Sequence, residues 1–261
     1  MKKKLLTCGC SYTNIRNTKL YPASEKSKQE YQLFREWPSF LADDLGLECI
    51  NVGASGAGND AIFNQAIKYI SEYDYNEIEL ICVLWTQMFR VNLWNWSKYT
   101  DTISTFTHGC KDIGGQDPII YDIAERLLDK LEEHFWLDKF IFNYFNNITI
   151  LTQLCNKLGI KLVMAQAMKF EPGAGGGWSD LCDNKYFFAK FSEEVANIDI
   201  NTKHFIAWPP VRALGGHPLQ DNDQELFKLE NRVSKRDWHP NAKGHRLIAD
   251  EYLKKYKEIY S

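Results

Sequence analysis

Three residues of this chain have the side chains that nucleophilic catalysis requires, although they lie at opposite ends of the sequence. Ser11 follows a short apolar run in KLLTCGCSYT, and Asp237 and His239 lie in DWHPNAKGH. A serine hydroxyl attacks a carbonyl carbon when a neighbouring imidazole accepts its proton, and a carboxylate on the other ring nitrogen orients that imidazole. If the fold brings the two segments together, we expect Ser11 to be the nucleophile, His239 its base and Asp237 the acid.

Acyl transfer also needs hydrogen-bond donors for the oxyanion that develops on the substrate. The main-chain N–H groups of Ser11 and Gly56 are candidates, because glycine allows the backbone to approach a ligand closely. Gly56 lies in GASGAGN, a turn that follows the apolar run ECINV. A side-chain donor is expected from Gln87 or, second, from Thr86, which directly follow the apolar run IELICVLW.

Two further polar residues in the same loops are candidates for contact with the substrate. Arg90 could bind an anionic group of the substrate or pair with a nearby acid. Asn59 stands at the predicted start of a helix, where it could also be the capping residue.

Other interpretations of these segments remain open. Cys10 could replace Ser11 as the nucleophile, although a side chain next to the serine is expected to point towards the sheet as a core thiol. GASGAGN could hold a phosphate, but its spacing differs from GxxxxGK[ST] and no basic residue follows. Cys8 and Cys10 could bind zinc, but no second Cys or His pair at ligand spacing follows them. His245 is expected to be a surface or packing residue.

The elements that must position these residues follow from the hydrophobic pattern. Short apolar runs predict five strands, the last of them weaker, at 4–8, 48–52, 78–85, 159–167 and 204–208. Helical periodicity alternates with these strands to the end of the chain. The alternation predicts a single α/β domain over 1–261 with a parallel sheet of about five strands, in which reactive groups collect at the carboxyl ends of the strands.

The segment 92–158 is expected to be a helical and aromatic insertion in this domain. Residues 92–118 are rich in Trp, Thr and Gly and are expected to form loops. The helical period from 119 to 158 is long for one helix, so we expect two helices with a break near 134–138. The aromatic cluster WNWSKY (94–99) either packs the insertion or walls a substrate cleft.

Composition narrows the possible functional classes. A net charge of −3 argues against a protein that binds nucleic acid by neutralising phosphates. Seven cysteines at irregular spacings favour free, mostly buried thiols in a reducing compartment. The apolar run after MKKK is too short for a signal peptide, and no stretch has the length of a membrane span. We therefore expect a cytoplasmic or virion-associated protein.

The ordered segments GCSYT, NVGASGAGN, WTQMFR and DWHPNAKGH resemble the four sequence blocks of the SGNH (GDSL-type) hydrolases, and most of all the GCSFT-bearing branch common in bacteriophage and bacterial genomes. The resemblance implies a three-layer α/β/α sandwich of flavodoxin-like topology. It implies a serine esterase that forms an acyl-enzyme on a small-molecule or glycan ester, such as an O-acetyl carbohydrate or a lipid. It implies no metal or organic cofactor, and the roles given above for Ser11, Gly56, Asp237 and His239.

The chain departs from the family pattern in three of the blocks. Cys10 stands where the family has aspartate, and Trp-Thr-Gln-Met stands in place of Gly-x-Asn-Asp. One residue rather than two separates Asp237 from His239, and Arg236 occupies the usual position of the acid. The alternatives are therefore a catalytically silent SGNH scaffold that binds carbohydrate or protein, and a nucleotide-binding α/β protein that uses GASGAGN.

Overall fold

The computed structural model describes residues 2–14, 35–88, 91–94, 103–106, 133–168, 184–198, 202–221, 224–235 and 238–261. Its strands are Lys4–Gly9 (β1), Glu48–Asn51 (β2), Ile78–Trp85 (β3), Val91–Trp94 (β4), Ile103–Phe106 (β5) and Lys161–Gln166 (β6). Its α-helices are Trp37–Leu45 (α1), Asn59–Glu72 (α2), Glu133–Leu158 (α3), Asn184–Asn197 (α4) and Ala242–Tyr260 (α5). The candidate site residues Arg90 and Asp237 lie outside the described residues.

The main sheet is parallel, as the apolar runs predict, with strand order β2-β1-β3-β6. Every residue of β1 except the first is buried, and so is nearly all of β3, which is why both segments are almost wholly apolar. The weaker fifth strand expected at 204–208 is reduced to a single parallel bridge between Phe205 and Met164 at the β6 edge. Within the part of the chain that the structure describes, the sheet therefore has four strands, where about five were expected.

The helices cover both faces of this sheet. The connection from β1 to β2 and the connection from β2 to β3 run in opposite directions across the sheet, so right-handed crossovers put α1 and α2 on opposite faces. α1 packs against α5, where the rings of Trp37 and Tyr252 stack with centroids 4.6 Å apart. α3 packs against both α2 and α4. The molecule is thus a three-layer α/β/α sandwich with the β1 and β3 side chains at its centre.

The segment expected to be an insertion differs from the prediction in two respects. The backbones of β4 and β5 pair antiparallel, so residues 92–94 and 103–106 form strands inside the range 92–118 that was expected to form loops. α3 runs without interruption from Glu133 to Leu158, so the break expected near 134–138 is wrong. The physical reason is that this stretch contains neither glycine nor proline, and its apolar side chains keep one buried stripe through Tyr144, Ile148, Leu151 and Cys155.

The described cysteines, Cys8, Cys10, Cys49, Cys82 and Cys155, are all free thiols. Burial raises the pKa of Cys155 to about 12 and that of Cys49 to about 11. Within the described ranges, no group of three or more His, Cys, Asp or Glu side chains is placed to hold a metal ion. Nor does any helix among those residues combine the length and the apolar character needed to cross a bilayer.

Candidate active site

Ser11 lies in a tight turn immediately after β1, at the carboxyl edge of the sheet. The Cys10 carbonyl accepts hydrogen bonds from the N–H groups of Thr13 (2.8 Å) and Asn14 (3.1 Å), which closes one helical turn around the serine. A Cβ atom at Gly9 would lie 2.0 Å from Thr13 Oγ1, so the chain can fold back this closely only with glycine at that position. The GCSYT segment therefore holds Ser11 in a compact turn, and Ser11 is only 5% exposed.

His239 lies on a short extended segment that leads into α5. The His239 carbonyl accepts a hydrogen bond from the Val233 N–H (2.9 Å), and Pro240 forms an antiparallel bridge with Arg232. The Asn241 side chain then caps α5 by accepting from the N–H groups of its second and third residues, at 3.0 and 3.1 Å. The HPN sequence therefore fixes the histidine just before the helix begins.

The fold brings the two segments together. Ser11 Oγ lies 2.8 Å from His239 Nε2, although the two residues are 228 positions apart in the chain. When the imidazole proton is on Nδ1, the serine hydroxyl donates to Nε2, which is the arrangement that lets the ring accept the hydroxyl proton during attack. The pair therefore has the contact that a nucleophile and its general base need.

The acid of the predicted triad, Asp237, falls outside the described residues, and its role stays a prediction. A carboxylate that the sequence reasoning did not consider, Asp221, follows Gln220 in the chain and is buried at 1% exposure. Its Oδ2 atom lies 2.9 Å from both Nε and Nη2 of Arg212. Asp221 therefore forms an ion pair with a guanidinium group within its own loop.

The glycine-rich loop after β2 lies beside the serine turn because it is fastened to the end of β1. The Ala54 N–H donates to the Gly9 carbonyl (2.9 Å), and the Gly53 N–H donates to Asn51 Oδ1 (3.0 Å). Gly56 has φ 80°, a left-handed conformation that favours glycine. The loop thus follows the edge strand next to β1, on the side of the serine opposite to β3.

The end of β3 places Thr86 and Gln87 on the other side of the serine turn. Gln87 is half-buried. Thr86 is fully buried, and among the described residues its hydroxyl has no hydrogen-bond partner. Gln87 first and Thr86 second therefore stay the predicted side-chain donors.

Asn59 makes a structural contact and is not the capping residue of its helix, while its contact with the substrate stays a prediction. Its Oδ1 accepts from the Thr86 N–H (2.9 Å) and its Nδ2 donates to the Thr86 carbonyl (3.2 Å), while Gly58 occupies the cap position of α2. Gln166 Nε2 donates to the same carbonyl (2.8 Å). Each polar end of the Asn59 side chain therefore makes one hydrogen bond that fixes the main chain preceding Gln87.

No protein-family model matches this chain, and no curated protein matches it. Solved structures do match it over nearly its whole length. They include a lipolytic protein of the G-D-S-L family from Desulfitobacterium hafniense, with 13% identity, 97% of this chain and 99% of the other covered, and a TM-score of 0.45.

Two other matches are the psychrotrophic esterase EstA from Pseudoalteromonas and the acetylxylan esterase Axe2 from Geobacillus stearothermophilus. Each is 14% identical to this chain. EstA matches over 98% of this chain and 97% of its own, with a TM-score of 0.45, and Axe2 over 97% and 93%, with a TM-score of 0.44. With identities this low and TM-scores below 0.5, function has to be inferred from the geometry of the site.

Two residues that contact the His239 segment were missed by the sequence reasoning. Tyr12 Oη donates to the Trp238 carbonyl (2.9 Å), and Gln220 Nε2 donates to the same oxygen (3.3 Å). The one sequence signal was that Tyr12 stands where the GCSFT motif has phenylalanine, which adds a hydroxyl next to the serine. Nothing in the sequence near Gln220 pointed to this contact.

His245, by contrast, belongs to the core. It is fully buried, and its Nδ1 accepts from the Trp37 N–H at 3.3 Å, which joins the first turn of α5 to the start of α1. Of the two expected roles, surface or packing, the structure shows packing.

Proposed function

We propose that this protein is a serine ester hydrolase of the SGNH type. The observation that carries the proposal is the 2.8 Å contact between Ser11 Oγ and His239 Nε2 at the carboxyl edge of a parallel sheet. The sequence resemblance to the SGNH blocks supports it, because the serine and histidine of its first and last blocks are the residues in contact.

In the proposed reaction, Ser11 Oγ attacks the ester carbonyl carbon while His239 Nε2 takes the hydroxyl proton. The carbonyl electron pair moves onto oxygen, and the N–H groups of Ser11 and Gly56, with the Gln87 side chain, donate to that oxyanion. When the oxyanion collapses, the bond to the alcohol breaks, and the alcohol leaves with the proton from His239. Water then attacks the acyl-enzyme by the same path and releases the acid and the free serine.

Asp237 is proposed to orient the imidazole by accepting from Nδ1–H. Arg90 is proposed to contact an anionic group of the substrate. The reaction needs no cofactor, since each proton and each electron pair moves between serine, histidine, substrate and water. The substrate classes proposed from the resemblance are O-acetyl carbohydrates and lipid esters, which hydrolysis of acetylated xylan and of p-nitrophenyl esters of increasing chain length would distinguish.

The direct experiment is covalent labelling with a fluorophosphonate probe. We expect the wild-type protein to be labelled and Ser11→Ala to be unlabelled. The matched control is Cys10→Ala, which removes the adjacent buried thiol and should leave labelling intact. Labelling of Ser11→Ala at the wild-type rate would remove Ser11 from the mechanism, and loss of labelling in folded Cys10→Ala would point to the cysteine.

A second candidate function, a scaffold that binds carbohydrate or protein without catalysis, is favoured by the altered third block. Trp-Thr-Gln-Met stands there in place of Gly-x-Asn-Asp, and the Thr86 side chain is fully buried. Saturable binding to a glycan array, together with no hydrolysis of p-nitrophenyl acetate and no probe labelling, would support the scaffold. Probe labelling that depends on Ser11 would exclude it.

A further inference from the structure

We propose that Tyr12 is a positioning residue for His239, and that it acts on the main chain in front of the histidine together with Gln220. The inference rests on the proposed function for its kinetic consequence, since the base matters to rate only if Ser11 is the nucleophile. Nothing in the sequence blocks assigns a role to either residue.

The geometry links the nucleophile segment to the base segment at two adjacent points. Ser11 Oγ contacts His239 Nε2 at 2.8 Å, and the next residue, Tyr12, donates to the carbonyl of the preceding residue, Trp238, at 2.9 Å. The Tyr12 ring also packs against the imidazole, with centroids 5.4 Å apart and planes inclined by 43°. Tyr12 therefore constrains both the backbone before His239 and the orientation of its ring.

Gln220 holds the same carbonyl from the opposite side of the site. Its main-chain N–H donates to the Ala167 carbonyl (2.8 Å), just beyond the end of β6, and its side-chain Nε2 donates to the Trp238 carbonyl (3.3 Å). The Trp238 carbonyl is thus held from the β1 side by Tyr12 and from the β6 side by Gln220. Both holding side chains are buried, at 3% and 6% exposure, whereas Trp238 itself is 51% exposed.

This arrangement should matter for rate because a base works only within hydrogen-bond reach of the hydroxyl. A displacement of about 1 Å in a catalytic group can lower a rate by up to about 100-fold. The Val233 N–H and the Arg232–Pro240 bridge hold the backbone after Trp238. The hydrogen bonds from Tyr12 and Gln220 add a restraint on the Trp238 carbonyl itself, directly before the histidine. Losing one of two such hydrogen bonds should lower the rate by about three- to tenfold.

The test compares two tyrosine-to-phenylalanine variants that each remove one hydroxyl bonded to a main-chain carbonyl. Tyr12→Phe keeps the ring beside His239, and Tyr252→Phe removes the hydrogen bond to the Val83 carbonyl (2.7 Å), in the core between α5 and β3. We expect Tyr12→Phe to slow fluorophosphonate labelling, and kcat on p-nitrophenyl acetate, by about three- to tenfold with KM unchanged. We expect Tyr252→Phe to lower the midpoint of thermal unfolding without slowing labelling of the folded protein.

The double variant Tyr12→Phe with Gln220→Met tests whether the two residues act through the same carbonyl. Each single change leaves one donor on Trp238, and the double change leaves neither, so the combined loss of rate should exceed the product of the single losses. A combined loss of rate equal to or smaller than that product would contradict the claim that Tyr12 and Gln220 act through the same Trp238 carbonyl.

A readout that does not depend on activity separates this inference from the proposed function. The nitrogen signals of the His239 ring, assigned by their loss in His239→Gln, should shift or broaden in Tyr12→Phe, while those of the other five histidines stay in place. If the wild type is never labelled by the probe but the His239 signals change, the proposed function fails and the positioning role stands. If the wild type is labelled and Tyr12→Phe leaves both the rate and the signals unchanged, the positioning role is overturned.

Discussion

The side chain of Asn59 closes a pair of hydrogen bonds on the main chain of Thr86, accepting from its N–H and donating to its carbonyl. This contact ties the first residue of α2 to the loop after β3, and so joins the loops on the two sides of Ser11. Asn59 was expected to be a helix cap, and it instead fixes the main chain next to Gln87, a candidate oxyanion donor.

Replacing Asn59 by alanine should therefore cost both stability and activity. The buried Thr86 N–H would lose its acceptor, which should lower the free energy of unfolding by about 1–3 kcal/mol. The main chain before Gln87 would also lose one of its restraints, so kcat should fall. Urea unfolding and p-nitrophenyl acetate hydrolysis measure the two effects.

The control is Asn76→Ala, which removes an exposed amide that bonds to Asp74 Oδ1 on the surface. Its effect on unfolding should stay within about 0.5 kcal/mol. Equal stability losses in the two variants would show that the Asn59 contact contributes nothing beyond a surface hydrogen bond.

A second prediction concerns Gly244, in the first turn of α5. A Cβ atom there would lie 2.3 Å from the Asn231 carbonyl oxygen and 2.7 Å from Pro240 Cβ. Gly244→Ala must push α5 away from Asn231 and Pro240, which lie in the segments on either side of His239. We therefore expect a loss of about 1–3 kcal/mol in stability together with slower probe labelling.

The matched variant is Gly46→Ala, at the end of α1. Its φ is 67° and a Cβ would meet no atom within 4 Å, so the change strains only the local backbone, by about 1–2 kcal/mol. It should destabilise the protein without altering the labelling rate of the folded form. If Gly244→Ala labels as fast as Gly46→Ala, the close approach does not position the base.

A third prediction concerns pH. Burial lowers the pKa of His204, with a further contribution from Lys203, and its Nδ1 lies 3.1 Å from Tyr260 Oη. Below its ordinary pKa of about 6.5, the unfolded chain takes up a proton that the folded chain resists, so stability should fall as the pH drops from about 7. Above that range both states are neutral and His204 contributes no pH dependence.

Urea unfolding at a series of pH values between 7.5 and 5.5 measures this effect. His204→Gln should be less stable at pH 7.5, since it loses packing, but its stability should decline less steeply towards pH 5.5. Parallel declines in the two proteins would assign the pH dependence to other groups.

A fourth prediction concerns the thiols. Burial raises the pKa of Cys8 and Cys82 far above the ordinary range, and that of Cys155 to about 12. Because the thiolate is the reactive form, these three should resist iodoacetamide at pH 8 in the native protein and react once the protein is unfolded. Peptide mass mapping reports each cysteine separately, and native alkylation of Cys82 would contradict its burial in β3.

The sequence allowed the sheet to be predicted where strands are buried on both faces. β1 and β3 appear as unbroken apolar runs because helices cover them on both sides, and only one kind of element fits such short runs. The edge of the sheet was harder. The run at 204–208 is apolar, yet it makes one bridge, because strand pairing there depends on how the chain turns beyond β6 rather than on local composition.

The prediction that Ser11 and His239 meet came from their residue types, their places in the chain order and the resemblance of their segments to the SGNH blocks. The residues that hold them were not predictable in the same way. Tyr12, Asn59 and Gln220 bond to main-chain groups of residues far away in sequence. Every residue has a main-chain carbonyl, so residue types do not show which carbonyl will accept such a bond. Such contacts become visible only when the loops are placed next to each other.

The separation of Ser11 from His239 along the chain has a consequence for the timing of activity. At a synthesis rate of about 5–20 residues per second, the histidine is made about 10–50 s after the serine. A growing chain on the ribosome therefore carries the Ser11 hydroxyl without the His239 imidazole until the segment before α5 has been made and has docked. If Ser11 is the nucleophile, as proposed, hydrolysis begins only after that docking.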